Sequence, residues 1–270
     1  MRDETSHLVT RNNSSSVSTR RVSGAPNSNR VLMVDIGGSN IKVMVSGSEE
    51  MRKTPSAREL TGEQMVAEVK ELTKDWEYDV VTIGFPGLVR DGRLAREPLN
   101  LGGGWLDFSF EQAFGCPVRI INDAAMQALA VYEGGRMLFV GLGTSIGAAL
   151  VADGVIVPVE LGLVPLKNGD PFMVRLTKSA RKRDGNKAWV KAARQAITLL
   201  RDVFWPDDTV VGGGNGKFVD PLPEGCRRSK NQEAFAGAAR MWEGADLLAE
   251  PVGTTWRIVR PAAVQPARPR

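Results

Sequence analysis

Residues 31–45 read VLMVDIGGSNIKVMV, which is the first and clearest indication of the fold. Its two apolar runs, 31–34 and 41–45, are rich in β-branched residues and predict two strands. The glycine pair between the runs predicts a tight hairpin turn, because glycine accepts turn conformations that a Cβ would hinder. Backbone amides at such a turn can face an anion. A Gly-Gly hairpin alone is more often only a turn, so its function depends on what accompanies it.

Two more glycine-rich turns follow along the chain. Residues 141–147, GLGTSIG, separate predicted strands at 137–142 and 146–152, and residues 212–216, GGGNG, follow a predicted strand at 209–211. Two such hairpins that face each other can hold a polyphosphate between them. The third turn is open enough for a nucleotide base or ribose, although a plain strand-to-helix connector is an equally good interpretation of it.

The pattern around these turns predicts an α/β fold, because short β-branched runs alternate with helical stretches. The other predicted strands are residues 80–85, 118–121 and 155–157, and the predicted helices are residues 62–76, 124–132, 187–204 and 232–242. Thr61 and Gln64 form a predicted capping box at the start of the first helix.

The length of the chain and the distribution of its charge limit the classes of function that it can have. With 270 residues, 42% of them hydrophobic, the chain can form one large domain or two modest ones. The net charge of +4 belongs to the ends, since residues 1–30 carry +3, residues 251–270 carry +4 and about −3 remains between them. The central part therefore gives no reason to expect nucleic-acid binding. Both ends are predicted to be tails, and the first of them is predicted to be disordered.

The sequence contains no apolar run of about 18 residues and no apolar leader, so neither a spanning helix nor a secretory signal is predicted, and a cytoplasmic location is expected. Cys116 and Cys226 have no metal or redox spacing and are predicted to be buried, reduced thiols. The only histidine, His7, lies in the first tail, which excludes a Ser-His-Asp triad and a HExxH zinc site from the body. Its chemistry must use carboxylates, lysines, backbone amides or metal ions.

Asn122 and Asp123 close a predicted strand and open a predicted helix, so their side chains should project from a sheet edge into a cleft. A lone Asp at this position is more often a helix cap. A carboxylate between two phosphate-binding hairpins, however, supplies the positioning and the base that phosphoryl transfer to an alcohol requires. The sequence therefore predicts Asp123 as a general base. Asp35, at the end of the first strand, is predicted to hold a magnesium ion through water.

At this point the chain resembles the ROK (repressor, ORF, kinase) sugar kinases, and among them the bacterial polyphosphate glucokinases, over roughly residues 31–245. The motifs that carry the resemblance are Gly-Phe-Pro-Gly at 84–87, the loop 100–105, Asn-Asp-Ala at 122–124, the turn 141–147, Glu-Leu-Gly at 160–162 and the glycine triplet 212–214. The resemblance implies a two-domain, actin-like ATPase (ribonuclease H-like) α/β fold with a cleft between the domains.

The implied domain limits are approximate, because in this fold the final helix commonly returns to the first domain. They are a tail at 1–30, a first domain at 31–121 plus 232–246, a second domain at 122–231 and a second tail at 251–270.

The resemblance also implies an activity, namely transfer of a phosphoryl group from polyphosphate or ATP to a hexose hydroxyl, with Mg²⁺ as cofactor and glucose as the first candidate acceptor. Asp123 matches the base, and the implied sugar contacts are Asn100, Asn122, Asp123 and Glu160. The implied contacts to phosphate or nucleotide are Asp35, Gly37, Gly38, Ser39, Asn40, Lys42, Gly143, Thr144, Ser145, Gly147, Gly213 and Gly214. No membrane or nucleic-acid partner is expected, and a homodimer is left open.

The chain departs from the family pattern at positions that bind the sugar in the family. Leu163 stands where the family usually has the histidine of Glu-Leu-Gly-His, the zinc-binding cysteine motif of the wider family is missing, and no later glutamate matches the remaining sugar contact. Losing a polar contact alters substrate choice or weakens affinity. A catalytically weak sugar-binding or regulatory protein is therefore the alternative, and a hydrolase of the same superfamily stays open. A repressor would need a DNA-binding domain before residue 31, for which the tail is too short.

A run of basic residues precedes and enters the long predicted helix. It consists of Lys178, Arg181, Lys182, Arg183, Lys187 and Lys191. A solvated face is the preferred interpretation. The sharper alternative is that these residues attract a long polyphosphate donor.

Overall fold

The computed structural model describes residues 29–98, 101–229, 233–242, 248–252 and 255–259. Most of the predicted first tail and the whole stretch from residue 260 onward therefore lie outside the described residues. The described residues form two large β-sheets with helices packed on them and between them, so the predicted α/β class is confirmed.

The first sheet has five strands in the order β3-β2-β1-β4-β7. Its strands are β1 Val31–Ile36, β2 Asn40–Val45, β3 Met51–Pro55, β4 Val80–Phe85 and β7 Val118–Asn122, and a separate small hairpin is formed by β5 Val89–Arg90 and β6 Arg93–Leu94. Strands β1 and β2 are antiparallel and form the predicted hairpin. Strands β1, β4 and β7 are parallel, so their carboxyl ends meet at one edge of the sheet.

The second sheet has seven strands in the order β12-β11-β8-β9-β10-β14-β13. Its strands are β8 Met137–Leu142, β9 Ile146–Ala152, β10 Val155–Val159, β11 Asp208–Gly212, β12 Cys226–Arg228, β13 Leu248–Val252 and β14 Thr255–Val259. Strands β8, β9 and β10 form the two predicted hairpins, and β11 runs parallel to β8. Strand β14 pairs with β10, so residues 251–252 and 255–259 belong to the sheet and the predicted tail is wrong over these positions.

Six α-helices occur within the described residues. They are α1 Gly62–Leu72, α2 Phe110–Phe114, α3 Asp123–Val131, α4 Phe172–Arg175, α5 Lys178–Phe204 and α6 Glu233–Arg240, together with a 3-10 helix at Gly216–Phe218. The capping box at the start of α1 is confirmed, because Gln64 N donates to the Thr61 hydroxyl and Thr61 N donates to the Gln64 side chain. The helix ends at Leu72, four residues before the predicted end.

Helix α5 begins nine residues before its predicted start. It is broken at Gly185, which has φ 81° and ψ 158°, and the predicted segment 187–204 follows this break. Glycine permits the break because it has no Cβ to clash at positive φ. The basic residues of the run up to Arg183 therefore lie in a short helical segment before the break, whereas Lys187 and Lys191 lie in the long amphipathic part.

The layers explain where the core lies. Helix α1 packs on β2 and β3, and α6 packs on α3 and on β1 and β4 of the first sheet. Helix α3 lies between the two sheets, because it contacts β4 and β7 of the first sheet and β8, β9 and β10 of the second. One apolar core is continuous from the first sheet through α3 to the second sheet, and a second core lies between the second sheet and α5. The first strands and α3 are therefore held in a fixed relation by burial of apolar surface.

Helix α6 returns to the first sheet. Thr82 Oγ1 donates to the carbonyl of Ala238 at 2.9 Å, and Trp242 Nε1 donates to Thr82 Oγ1 at 2.8 Å. These contacts are those expected of a final helix that completes the first domain, while the exact domain limits stay a prediction.

Two further predictions concern the cysteines and membrane-spanning helices. Cys116 and Cys226 are free thiols, but both are half-buried and the prediction of burial is wrong. Within the part of the chain that the structure describes, no helix combines the length and apolar character needed to cross a bilayer.

Candidate functional site

The junction of β7 and α3 frees the carboxylate of Asp123 from a capping role. Asn122 is the helix cap, because its Oδ1 accepts the N–H groups of Ala124 and Ala125 at 3.1 Å each. Its Nδ2 donates to the carbonyl of Gly87 at 3.1 Å, which ties the cap to the Gly-Phe-Pro-Gly turn. The Asp123 carboxylate accepts one bond, from Ala124 N at 2.8 Å, and keeps further acceptor capacity.

The electrostatic surroundings of Asp123 favour its protonated form. Burial raises the pKa of Asp123 to about 7, and the negative charges of Asp35 and Glu160 add to this effect, while the Ala124 N–H opposes it. The side chain is crowded by protein atoms and yet partly reached by solvent, as expected at the floor of a cleft. Asp35 on β1 and Glu160, the residue after β10, are thus near enough to Asp123 at the start of α3 for their charges to raise its pKa.

The two glycine hairpins have the same construction. In the first, Gly37 N donates to Asn40 O at 3.0 Å, and in the second, Gly143 N donates to Ser145 O at 2.9 Å. These bonds close the turns, so the N–H groups of Gly37 and Gly143 are not available to a ligand. The tip residues are exposed, and their N–H groups have no protein partner among the residues described; they are Gly38, Ser39, Thr144 and Ser145.

The second hairpin contacts both the first hairpin and the start of α3. A Cβ added to Gly38 would lie 3.1 Å from Cγ2 of Thr144, so the two tips are in van der Waals contact. A Cβ added to Gly147 would lie 3.2 Å from Cβ of Ala124, the residue after Asp123. The structure therefore brings both predicted phosphate loops and the predicted base together.

Asp35 and Lys42 form an ion pair between adjacent strands. Lys42 Nζ lies 2.8 Å from Oδ2 of Asp35, and the Asp35 carboxylate is mostly buried. Among the described residues no group of three or more acidic, histidine or cysteine side chains could hold a metal ion alone. A magnesium ion fits this donor set only in the usual manner for Mg²⁺, through one carboxylate, several waters and the phosphates of a substrate. Asp35 is the residue that would hold it.

The third glycine turn is locked onto the second hairpin by Asn215, a residue that the sequence analysis missed. Asn215 N donates to Leu142 O at 2.8 Å, and its Nδ2 donates to Gly143 O at 2.8 Å. Gly213, at φ 76°, lies so close that an added Cβ would be 2.5 Å from Leu142 O. In the sequence, the signal that could have identified Asn215 was its position as the one polar side chain within the GGGNG turn.

The structure describes only some of the predicted sugar contacts. Asn100 lies outside the described residues, and every described bond of Asn122 is made within the protein. Glu160 is exposed and follows β10, and its charge acts on Asp123. Leu163 is 80% exposed, so the position that departs from the family pattern has no packing role.

The loop that follows Asn100 is anchored by another residue that the sequence analysis missed. The Glu97 carboxylate accepts the N–H groups of Gly104 and Trp105 at 3.2 Å each. Trp105 is fully buried and donates through Nε1 to Leu60 O at 3.1 Å. An ordinary glutamate in a polar stretch gave no sign of this role.

Comparison with known proteins matches residues 31–164 to the model described as the ROK family. The matched part includes both hairpins, Asp123 and Glu160, and it ends before α5 and the third glycine turn.

Named relatives agree with this match. The polyphosphate glucokinase of Mycobacterium tuberculosis (strain CDC 1551 / Oshkosh) is 25% identical over 226 residues, which cover 75% of this chain and 84% of that protein. The crystal structure of an inorganic polyphosphate/ATP-glucomannokinase from Arthrobacter sp. strain KM is 26% identical, with a TM-score of 0.69 over 78% of this chain and 97% of that chain.

A third relative supports the fold alone. It is a ROK family glucokinase from Streptomyces griseus, solved with glucose and AMPPNP, which has a TM-score of 0.60 at 18% identity over 79% of this chain and 99% of that chain. The ROK sugar kinases have the actin-like ATPase fold, so the predicted fold class and the resemblance to this family are confirmed.

Proposed function

We propose that this chain, whose residues 31–164 match the ROK family model, is a carbohydrate kinase that transfers a phosphoryl group from polyphosphate or ATP to a hexose hydroxyl, with glucose as the first candidate. The observation that carries the proposal is the position of Asp123, a carboxylate free of the capping role beside two hairpins whose tips are in contact. The relatives named polyphosphate glucokinase and polyphosphate/ATP-glucomannokinase support this choice of donors and acceptor.

In the proposed reaction the sugar hydroxyl oxygen attacks the terminal phosphorus of the donor. The bond between that phosphorus and the bridging oxygen of the donor breaks, and the hydroxyl proton passes to the Asp123 carboxylate. The free tip amides of the two hairpins bind the donor oxygens on which negative charge accumulates. Mg²⁺, when bound, would neutralise part of the charge on the donor phosphates.

The test is a coupled assay that crosses ATP and inorganic polyphosphate with a panel of hexoses. We expect phosphorylation of at least one hexose with at least one donor, at a rate well above donor hydrolysis without sugar. Donor hydrolysis that is independent of every sugar would instead identify a hydrolase and contradict the proposal.

The pH dependence of the reaction follows from the pKa of Asp123. A general base acts as the carboxylate, so kcat/KM is expected to rise about tenfold per pH unit below about pH 7 and to level off above it. Donor binding measured over the same pH range separates this effect from ionisation of the donor. A profile that is flat from pH 5 to pH 8 would argue against Asp123 as the base.

The second candidate function is a weak or inactive sugar-binding or regulatory protein, and the observation that favours it is Leu163. An exposed apolar side chain in the Glu160 turn offers no hydrogen bond to a sugar hydroxyl. We expect Leu163→His to improve kcat/KM for glucose by about tenfold, since one hydrogen bond to a sugar contributes about 1.5 kcal/mol. Fitted steady-state kinetics would measure the change.

The matched control for this variant is Val203→His, which adds a histidine at a 65% exposed position on α5. It should change neither kcat nor KM. If Leu163→His gives no gain in glucose binding or turnover, position 163 does not limit function, and the case for the second candidate is lost.

A further inference from the structure

The structure separates the run of basic residues at 178–191 into paired and unpaired cations. Arg183 lies 2.7 Å from Asp184, and Arg175, just before the run, lies 3.0 Å from the same carboxylate. Arg175 also lies 3.6 Å from Asp170, so two carboxylates neutralise these two arginines locally. Arg181 has no carboxylate partner among the described residues, and it does not point into solvent.

Arg181 is fixed against the third glycine turn by three contacts. Its Nε donates to Oδ1 of Asn215 at 3.2 Å, and its Nη1 donates to Oδ1 of Asn186 at 2.8 Å. Its guanidinium carbon lies 3.8 Å from the ring centroid of Phe218. A guanidinium has five N–H donors, so most of them are still available to a ligand in a side chain that is already held in place.

A second and a third cation lie at the same turn. Lys217 Nζ lies 5.2 Å from the centroid of the same Phe218 ring and has no carboxylate partner among the described residues. Arg228 donates to Gly216 O at 2.5 Å, and the acid nearest to it is Asp220 at 3.8 Å, which is highly exposed. A rim-exposed carboxylate offsets little positive charge. The three cations therefore create a positive potential that a bound polyanion would relieve.

This cationic turn is directly connected to the candidate cleft. Asn215, which accepts from Arg181, donates to the carbonyl of Gly143 at the start of the second hairpin. A long donor whose terminal phosphate lies at the hairpin tips would extend its later phosphates toward the turn that carries Arg181 and Lys217. The match to the ROK family model ends at residue 164, so these residues are assigned from the geometry of this chain.

We infer that Arg181 and Lys217 bind the phosphates of a long donor that lie beyond its first three, and that the site thereby selects long-chain polyphosphate. This inference rests on the proposed function, which defines the cleft as a donor site. Polyphosphate carries negative charge along its whole length, whereas a nucleoside triphosphate places an uncharged base and ribose beyond its phosphates. Only long-chain polyphosphate therefore carries negative charge beyond its third phosphate, where it can meet both cations.

The test compares the intact chain with a double variant that carries both Arg181→Gln and Lys217→Gln. Binding is titrated with long-chain polyphosphate and with tripolyphosphate. Glutamine at 181 removes the charge and retains an amide that can donate to Asn215. We expect the Kd for long-chain polyphosphate to rise at least tenfold and the Kd for tripolyphosphate to change less than threefold. The slope of log K against log salt for the long chain should fall by about 1–2, because two charge contacts are lost.

The matched control is Lys187→Gln with Lys191→Gln, which removes the same charge from exposed positions farther along α5. If the control weakens polyphosphate binding equally, the effect is that of a general positive field, and the inference is overturned. It is also overturned if the double variant weakens the binding of both ligands equally, or if the intact chain binds neither long-chain polyphosphate nor tripolyphosphate. Because binding is measured without sugar, failure to phosphorylate any hexose would contradict the proposed function and leave this result standing.

Discussion

Replacing Asp123 with asparagine is expected to lower kcat by about 10²- to 10⁴-fold and to leave the protein folded. The amide has the size of the carboxylate but cannot take the proton of a sugar hydroxyl. The cap of α3 is unaffected because Asn122 makes it, and the substituted side chain retains an oxygen for the Ala124 N–H. Turnover with both donors, together with a circular dichroism spectrum of the variant, checks the two parts of this expectation.

The matched control is Asp153→Asn. Asp153 lies in the exposed turn between β9 and β10 at φ 50°, a conformation that asparagine adopts readily. This variant removes the same charge from an exposed turn of the second sheet and should keep full activity. Full activity in Asp123→Asn would contradict the mechanism, whereas equal loss in both variants would indicate a nonspecific effect of charge.

Asp123→Asn is expected to raise the stability of the protein at high pH, although it lowers turnover. The pKa of Asp123 is raised in the folded protein, so the neutral form is favoured there, and the stability that this supplies is present below the unfolded-state pKa near 4 and is lost as the pH rises through about 7. Asp123→Asn removes this loss. Its Tm should therefore exceed that of the intact chain at pH 8 and approach it at pH 4. A lower Tm at pH 8 would show that ionised Asp123 is well accommodated.

Local sequence signals were sufficient to locate the parts of the candidate site, but not to show how they meet. The Gly37-Gly38 turn and the Gly143 to Gly147 turn are visible because glycine and β-branched residues alternate. That Gly38 packs on Thr144 depends on how the two sheets are arranged around α3, which is a property of the whole fold.

The capping role of Asn122 shows the same limit. Asn and Asp are equally good helix caps, so the sequence cannot choose between Asn122 and Asp123. The choice follows from the pairing of β4 with β7, which places Asn122 beside Phe85 and so within reach of the carbonyl of Gly87. The free carboxylate of Asp123 is thus a consequence of strand register.

The error at the carboxyl end has a related cause. Four prolines and the lack of a sustained hydrophobic period over residues 251–270 favoured a tail, because proline removes a donor from a strand. Strand β13 is the edge of the second sheet, and an edge strand tolerates proline because one side has no partner to bond. The position of a strand within a sheet is set by tertiary pairing, so local composition gave the wrong answer here.

Replacing Gly237 with alanine is expected to lower the free energy of unfolding by about 3 kcal/mol. Gly237 lies in α6, and a Cβ there would overlap the carbonyl oxygen of Met126 and lie 2.9 Å from the backbone N of Ala130, both in α3. Backbone atoms of two packed helices cannot move aside as a side chain end can, so the helices must separate. Urea unfolding curves measure the loss through the midpoint at constant slope.

The control for this variant is Gly103→Ala, where an added Cβ meets no atom within 4 Å. Helix propensity alone predicts the opposite result, because alanine within a helix is about 1 kcal/mol more favourable than glycine. A more stable Gly237→Ala protein would therefore contradict the close packing of α3 and α6. Because α3 begins at Asp123, separation of the two helices should also displace the proposed base. Turnover should then fall in Gly237→Ala even below its unfolding temperature, and remain unchanged in a variant that is destabilised to the same degree away from α3.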